Sequence, residues 1–508
     1  MTWRKRHTVG QPQLFFYILV HRRPRMSQAF VDMSSQVPTR LKGHVVALPF
    51  PTTGHVNPMM NLCKFLVSRT TDVTITFVVT QEWLSHIGSY PKPPTIRFAT
   101  IPNVVPFETK ILDDMPLFSV SVRTKMRAAF EELLDHQLIE PPTVIVTDVE
   151  LTWPTAVANQ RNIPVALLWT MSASFFCTYR QLDILAPAPD RRLTVDLLGN
   201  VWNGFDKQAE QIQGSSSSQQ PINLRKLVHE KDFGVFKRAL DCIPPVAKTD
   251  YLLLNTIQEL EAEEINFLKA KFPFRIYPVG PAIPFTELEP PSDSSATDSE
   301  HVMKWLDCQP KMSVLYISMG SLFSMSRPQM EELASALKTS EIQFLWACRS
   351  DAAWLKEKCG DKGLVVPWCD QLKVLCHRSI VGFWSHGGWN STVEACFAGV
   401  PILGYPFFLD QFSNCRQIVK EWKNGWKVGG EGSEELVKKE EILKALGMAM
   451  DAESEEGKEI RDKARQLKIL CRGAIAKGGS LVKNLDAFVE DIVGASSDSV
   501  HQNHWSTS

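Results

Sequence analysis

Blocks of apolar residues of strand length alternate along this chain with stripes at helical spacing. HVVALPF (44–50) is an apolar run ending in a Pro/Thr/Gly loop; behind it Met59, Met60, Leu62, Cys63, Phe65 and Leu66 recur on one helical face. VTITFVVT (73–80), TIRFAT (95–100), a helical stretch near 120–139, TVIVTD (143–148), a further helix and PVALLWT (164–170) continue the alternation. Strands rich in Val and Ile, apolar on both faces and separated by helices, predict a doubly wound parallel sheet. The rhythm fades over 190–250, where QGSSSSQQ (213–220) reads as a flexible loop, and returns in YLLLNT (251–256) and RIYPVGP (275–281).

FTELEPPSDSSATDSE (285–300) reads as an interdomain linker. Beyond it SVLYIS (313–318) leads into a helix with Met330, Leu333, Ala334 and Leu337 on one face and Ser326 and Gln329 spaced as a capping box. IQFLWAC, GLVVPW, SIVGFW and VPILGYP supply four more strands. The expected organisation is an extension over 1–40, an α/β domain over 41–284, a linker over 285–300, a second α/β domain over 301–480, a terminal helix over 481–495 and a disordered tail over 496–508. Two Rossmann-like halves facing a cleft bind ligands beyond the carboxyl ends of their strands.

Bulk properties narrow the class. A chain of 508 residues exceeds one ordinary core, and 44% hydrophobic with 22% charged residues is a globular composition. The net charge of −1 offers no basic face for nucleic acid. Eleven Cys without paired spacing predict free thiols in a reducing compartment, so a cytoplasmic, soluble protein, expected to be a monomer. LFFYILV (14–20), flanked by basic residues, resembles a secretory core but is short and lacks a small-x-small site; a disordered extension, or an upstream start before Met26 or Met33, is the plainer expectation.

The chemistry concentrates in WCDQLKVLCHRSIVGFWSHGGWNSTVEACFAGVPILGYPFFLDQ (368–411). A diphosphate needs backbone N–H donors at a helix N-terminus and a side chain able to carry positive charge. SIVGFW, SHGG and NSTVEACFAG supply strand, glycine turn and helix in that order. His386 is placed to donate to phosphates, Asn390 and Ser391 open the helix, and Glu394 is placed to accept from ribose hydroxyls. Trp368 can stack on a base with Gln371 nearby. Ser391 and Glu394 also have capping-box spacing, Trp389 has the alternative of a packed aromatic, and His377 reads as structural. In the first half, His55 follows the first strand and Asp148 ends another, which suits a general base and its orienting partner; Asp148 has the alternative of capping the helix that follows.

The 368–411 segment resembles the signature box of plant family 1 UDP-glycosyltransferases, matching W-x-x-Q, H, H-x-G-W-N-S, E, G-V-P and D-Q at each interval, and the similarity extends over 44–491. The resemblance implies the GT-B architecture and a metal-independent inverting transfer from UDP-glucose, as co-substrate and not a permanent cofactor, to a small-molecule aglycone. By similarity Trp368 stacks on uracil and the Cys369 backbone binds it. His386, Asn390, Ser391 and Ser321 contact the diphosphate, Glu394 the ribose, and Trp389, Asp410 and Gln411 the sugar, with His55 and Asp148 as the catalytic dyad. Gln411 and Trp389 favour glucose. Asp370, Gly387 and Tyr405 stand where the family usually has Pro, Cys and Trp. No Asp-x-Asp pair occurs to chelate a metal, and no G-x-G-x-x-G follows the first strand as a dehydrogenase would require. An epimerase or hydrolase of the same architecture, or a silent nucleotide-sugar binder, are the competing readings. Phe118, Trp153, Met171 and residues after Phe175 are the expected apolar acceptor wall, suited to a phenolic, terpenoid or hormone-like aglycone.

Overall fold

A computed structural model describes residues 43–88, 92–103, 115–178, 241–288, 298–321, 325–349, 351–429 and 436–502. The expected extension over 1–40, the polar loop at 213–220 and residues 289–297 of the expected linker lie outside them.

The described strands form two parallel sheets. The first has order β3-β2-β1-β4-β5-β6-β7, from β1 (Gly43–Leu48), β2 (Val73–Thr80), β3 (Ile96–Ile101), β4 (Val144–Asp148), β5 (Val165–Trp169), β6 (Tyr251–Leu254) and β7 (Arg275–Pro278). The second has order β10-β9-β8-β11-β12-β13, from β8 (Val314–Ser318), β9 (Gln343–Ala347), β10 (Gly363–Val366), β11 (Ile380–Ser385), β12 (Ile402–Gly404) and β13 (Gly425–Lys427). Strands β1, β2, β4, β5, β8 and β11 are buried throughout, as helices on both faces demand. Edge strand β3 exposes Arg97. The short edge strand β13 has no pattern of its own to betray it in the sequence.

Strand order reverses between β1 and β4 in one sheet and between β8 and β11 in the other. Helices leave to opposite faces at such a point and open a crevice there. Register sets what lines it. Leu48 pairs with Thr147, so the loop carrying His55 emerges beside Asp148. Ser318 pairs with Ser385, so the turn carrying Ser321 emerges beside His386.

The last described helix packs on the first sheet. In the helix Ser480–Gln502, Leu481, Leu485, Phe488 and Ile492 form one stripe packed with Val45, Ile75 and Tyr277. That helix runs past the expected limit of 495 into the expected tail, because nothing after Gly494 in the helix is a Gly or Pro. The Ser326 hydroxyl does cap its helix, accepting from Gln329 N–H at 3.4 Å. The capping box is only half made, since the Gln329 side chain turns to both backbone groups of Val437.

Candidate active site

His55 sits in the first turn of the helix Thr53–Arg69, whose N-cap Thr52 follows the β1 loop. Its Nδ1 lies 2.7 Å from Asp148 Oδ2 and 3.1 Å from Thr170 Oγ1. A carboxylate only accepts, so the proton resides on Nδ1 and Nε2 keeps its lone pair. Asp148 is 1% exposed and His55 20%. The second Asp148 oxygen accepts from Glu150 N–H at 2.9 Å. It therefore closes a local turn and does not cap the next helix, which starts at Pro154. Burial lowers the His55 pKa, but the charge and hydrogen bond of Asp148, with the charges of Glu150 and Asp410, outweigh it and hold the imidazole above its ordinary value. Thr170 carried no signal in the sequence beyond its place at the end of β5.

Opposite, the helix Trp389–Ala398 begins at Gly388 with no side-chain cap. The expected Ser391/Glu394 capping box is absent: Ser391 lies inside the helix, and its hydroxyl accepts from Gln371 Nε2 at 2.9 Å. The same Nε2 donates to Glu394 Oε2 at 2.7 Å, and Tyr316 donates to Gln371 Oε1 at 3.2 Å. Gln371 thus spends its amide orienting Glu394 and not on a base. Burial raises Glu394 to about 7.

Burial pushes His386 down to about 4, and its Nδ1 is buried without a hydrogen-bond partner. Two glycines make room for it. A Cβ on Gly320 would meet His386 Cε1 at 2.7 Å, and one on Gly388 would strike Nε2. A buried imidazole nitrogen with no partner, beside an uncapped helix N-terminus, suits an anionic group that supplies the missing partner. Gly387, one departure from the family pattern, has φ +78°, where a side chain costs about 1–2 kcal/mol, so glycine relieves strain at this turn.

Trp368 follows β10 and is 54% exposed, so its indole is open to stacking. The Cys369 thiol is buried against Tyr316 and burial pushes it up to about 11, leaving only the backbone of Cys369 to face a ligand. Asp370 is the N-cap of the helix Gln371–Leu375, accepting from Lys373 N–H at 3.2 Å and pairing with the Lys373 ammonium at 3.2 Å. That departure therefore anchors the helix bearing Gln371. Tyr405 directs its hydroxyl to Gln329 Oε1 at 3.2 Å, away from the crevice. His377 bonds Ser379 and Asp307, in keeping with a structural role.

Trp389 requires a correction. Its indole is buried and donates to the Asn255 carbonyl at 2.7 Å, so only its backbone can meet a sugar, and that N–H turns to the Asp410 carboxylate. Asp410 also accepts from Asn414 at 2.7 Å, and burial raises it to about 6. The Gln411 oxygen accepts from the N–H groups of Phe407 and Phe408, each at 3.0 Å, which leaves its NH2 as the end to present. Ser321 is exposed after β8. Asn390 reaches across to the first half, and Asn255 meets it there; neither link was visible in the sequence. Phe118 packs edge-on to Phe50, which packs on His55, while Trp153 and Phe175 belong to the same apolar cluster with Met171 beside it.

Among the described residues no group of three or more His, Cys, Asp or Glu is arranged to hold a metal. No described helix is long and apolar enough to cross a membrane.

The His55–Asp148 pair thus stands at the switch point of one parallel sheet and an uncapped helix start at that of the other. A family model described as UDP-glucoronosyl and UDP-glucosyl transferase matches residues 247–456. UDP-glycosyltransferase 87A1 of Arabidopsis thaliana is 42% identical over 450 residues, covering 88% of this chain and 99% of that protein. The crystal structure of Os79 from O. sativa in complex with U2F and trichothecene superposes with TM-score 0.74 at 25% identity, covering 88% of this chain and all of that one. Phytolacca americana UGT2, complexed with UDP-2fluoro-glucose and pterostilbene, gives 0.68 at 25%, covering 89% and 99%. The chain belongs to plant family 1 of the UDP-glycosyltransferases, with the GT-B fold, and is a UDP-sugar-dependent glycosyltransferase.

Proposed function

We propose that the protein transfers glucose from UDP-glucose to a hydroxyl of a small lipophilic aglycone by direct displacement with inversion. The observation that carries this is the 2.7 Å bond from His55 Nδ1 to Asp148, which leaves Nε2 basic at the crevice. The acceptor oxygen forms its bond to the anomeric carbon as the bond from that carbon to the diphosphate oxygen breaks. The hydroxyl proton passes to Nε2, and the imidazolium so formed is stabilised by Asp148. UDP departs with the electron pair, met by Asn390 and Ser391 N–H groups at the uncapped helix start, by His386 and by Ser321.

Trp368 stacks on uracil, the Cys369 backbone binds it, and Glu394 takes the ribose hydroxyls through the oxygen that Gln371 leaves open. Asp410 and Gln411 hold the sugar, with Trp389 beside them through the N–H it gives to Asp410. The apolar residues around Phe118, Trp153, Met171 and Phe175 receive the aglycone; the rice and Phytolacca neighbours have trichothecene and pterostilbene bound in their complexes. None of the eleven cysteines is in a disulfide, which supports a cytoplasmic setting.

Incubation of the purified protein with UDP-glucose and an aglycone panel, read by mass, tests the proposal. A hexose adduct on an aglycone is expected. Free glucose with no adduct marks a hydrolase, and UDP binding without turnover marks a binding protein. Glu394→Ala should weaken UDP binding by about 10- to 100-fold, the worth of hydrogen bonds to a charged acceptor. An unchanged dissociation constant by calorimetry would remove Glu394 from the ribose site.

A further inference from the structure

One bond between the two halves of the crevice ends beside His55. Pro58 lies within the helix Thr53–Arg69 and has no N–H, so the Gly54 carbonyl four residues earlier lacks the partner a helix would supply. Asn390 Nδ2 donates to that carbonyl at 2.9 Å. Gly54 directly precedes His55.

The other end of the Asn390 amide is equally committed. Its Oδ1 accepts from Asn255 Nδ2 at 3.0 Å. Asn255 is fully buried just beyond β6 and is itself fixed on three sides. Its Oδ1 accepts from Ala282 N–H at 2.8 Å, its Nδ2 lies 3.4 Å from the Thr170 carbonyl, and its own carbonyl takes the Trp389 indole. Thr170 is the residue whose hydroxyl shares His55 Nδ1. Hydrogen bonds thus reach the base from two directions, through Thr170 and through Asn390 and Gly54, and Asn255 joins both.

We propose that Asn255 is a positioning residue for transfer, which through Asn390 and Gly54 sets the register between His55 and the first turn of the Trp389–Ala398 helix. It rests on the function proposed above, because that turn is where the leaving diphosphate lies. The base and the leaving group belong to different sheets, and few other side chains span them so near the chemistry. A buried amide and a half-buried one with their strong bonds made hold one orientation, whereas a long exposed pair would not. In this arrangement the Asn390 side chain serves as the link, and its backbone N–H serves the phosphate.

The experiment compares wild type, Asn255→Asp, Asn390→Ala and the double variant by steady-state kinetics, UDP calorimetry and NMR titration of the His55 imidazole. Asn255→Asp keeps the shape but removes the donor to Asn390. Loss of register by about 1 Å lowers kcat by about 100-fold. The loss falls on kcat more than on UDP affinity, and the double variant is no worse than either single one, because both break the same link. Unchanged kcat in both single variants, additive losses, or a loss confined to UDP affinity overturns the proposal. Should Asn255→Asp fail to fold, Asn390→Ala reads the same link from a half-buried position. A wild type that transfers no sugar defeats the proposed function and not the link, which the titration still decides. Asp410, in the second half, helps lift the His55 pKa together with Asp148 and Glu150 of the first. In Asn390→Ala, which adds no charge, loosened register therefore lowers the titration midpoint, and a midpoint unmoved in that variant contradicts the link.

Discussion

His55→Ala is expected to lower kcat by about 100- to 10,000-fold, the usual worth of a general base, while UDP binds as before. The expectation follows from the separation of duties between the sheets. Every group assigned to uracil, ribose and diphosphate comes from the second half, whereas His55 emerges beside β4 in the first. Removing the imidazole takes away the proton acceptor and leaves the stacking surface, Glu394 and the helix start intact. Residual transfer is expected from binding and charge stabilisation alone. Turnover at the wild-type rate would exclude His55 as the base, and a parallel loss of UDP affinity would show that the residue acts through the architecture of the cleft.

Asp148→Asn should cost on the order of 100-fold or more in kcat and also move the pH profile. An amide can turn its NH2 to Nδ1, which then carries the lone pair while the proton sits on Nε2, the nitrogen meant to receive it. The base works when neutral, so kcat/KM falls as pH drops through the His55 pKa. That pKa is held above the ordinary 6.5, so the acidic limb of the wild type lies above that pH. Without the Asp148 charge, burial dominates and the limb moves to lower pH. A limb that stays in place, or moves upward, would show that Asp148 does not set the charge state of His55.

Sheet, crevice and donor segment were legible because each depends on local pattern. Runs such as VTITFVVT and SIVGFW declare buried parallel strands, and a glycine turn before a helix declares an anion site. What stayed hidden is set by distant partners. Ser391 and Glu394 have capping spacing, yet Gln371, on another helix, claims both. Trp389 sits in the signature box, yet its indole serves the interface through Asn255, more than a hundred residues earlier. Burial, which no spacing reveals, lowers the His386 pKa to about 4. Tyr405 and Asp370 looked like disturbances of the donor site and are explained by Gln329 and Lys373, which hold them in place.

The central claim is a single displacement at the anomeric carbon by a hydroxyl that gives its proton to His55. The stereochemistry of the glucoside formed from UDP-glucose, read by proton NMR of the first product before any equilibration, tests it most directly. UDP-glucose carries an α linkage, so a β-glucoside is predicted; an α-glucoside would require two displacements or a frontal one and would contradict the mechanism.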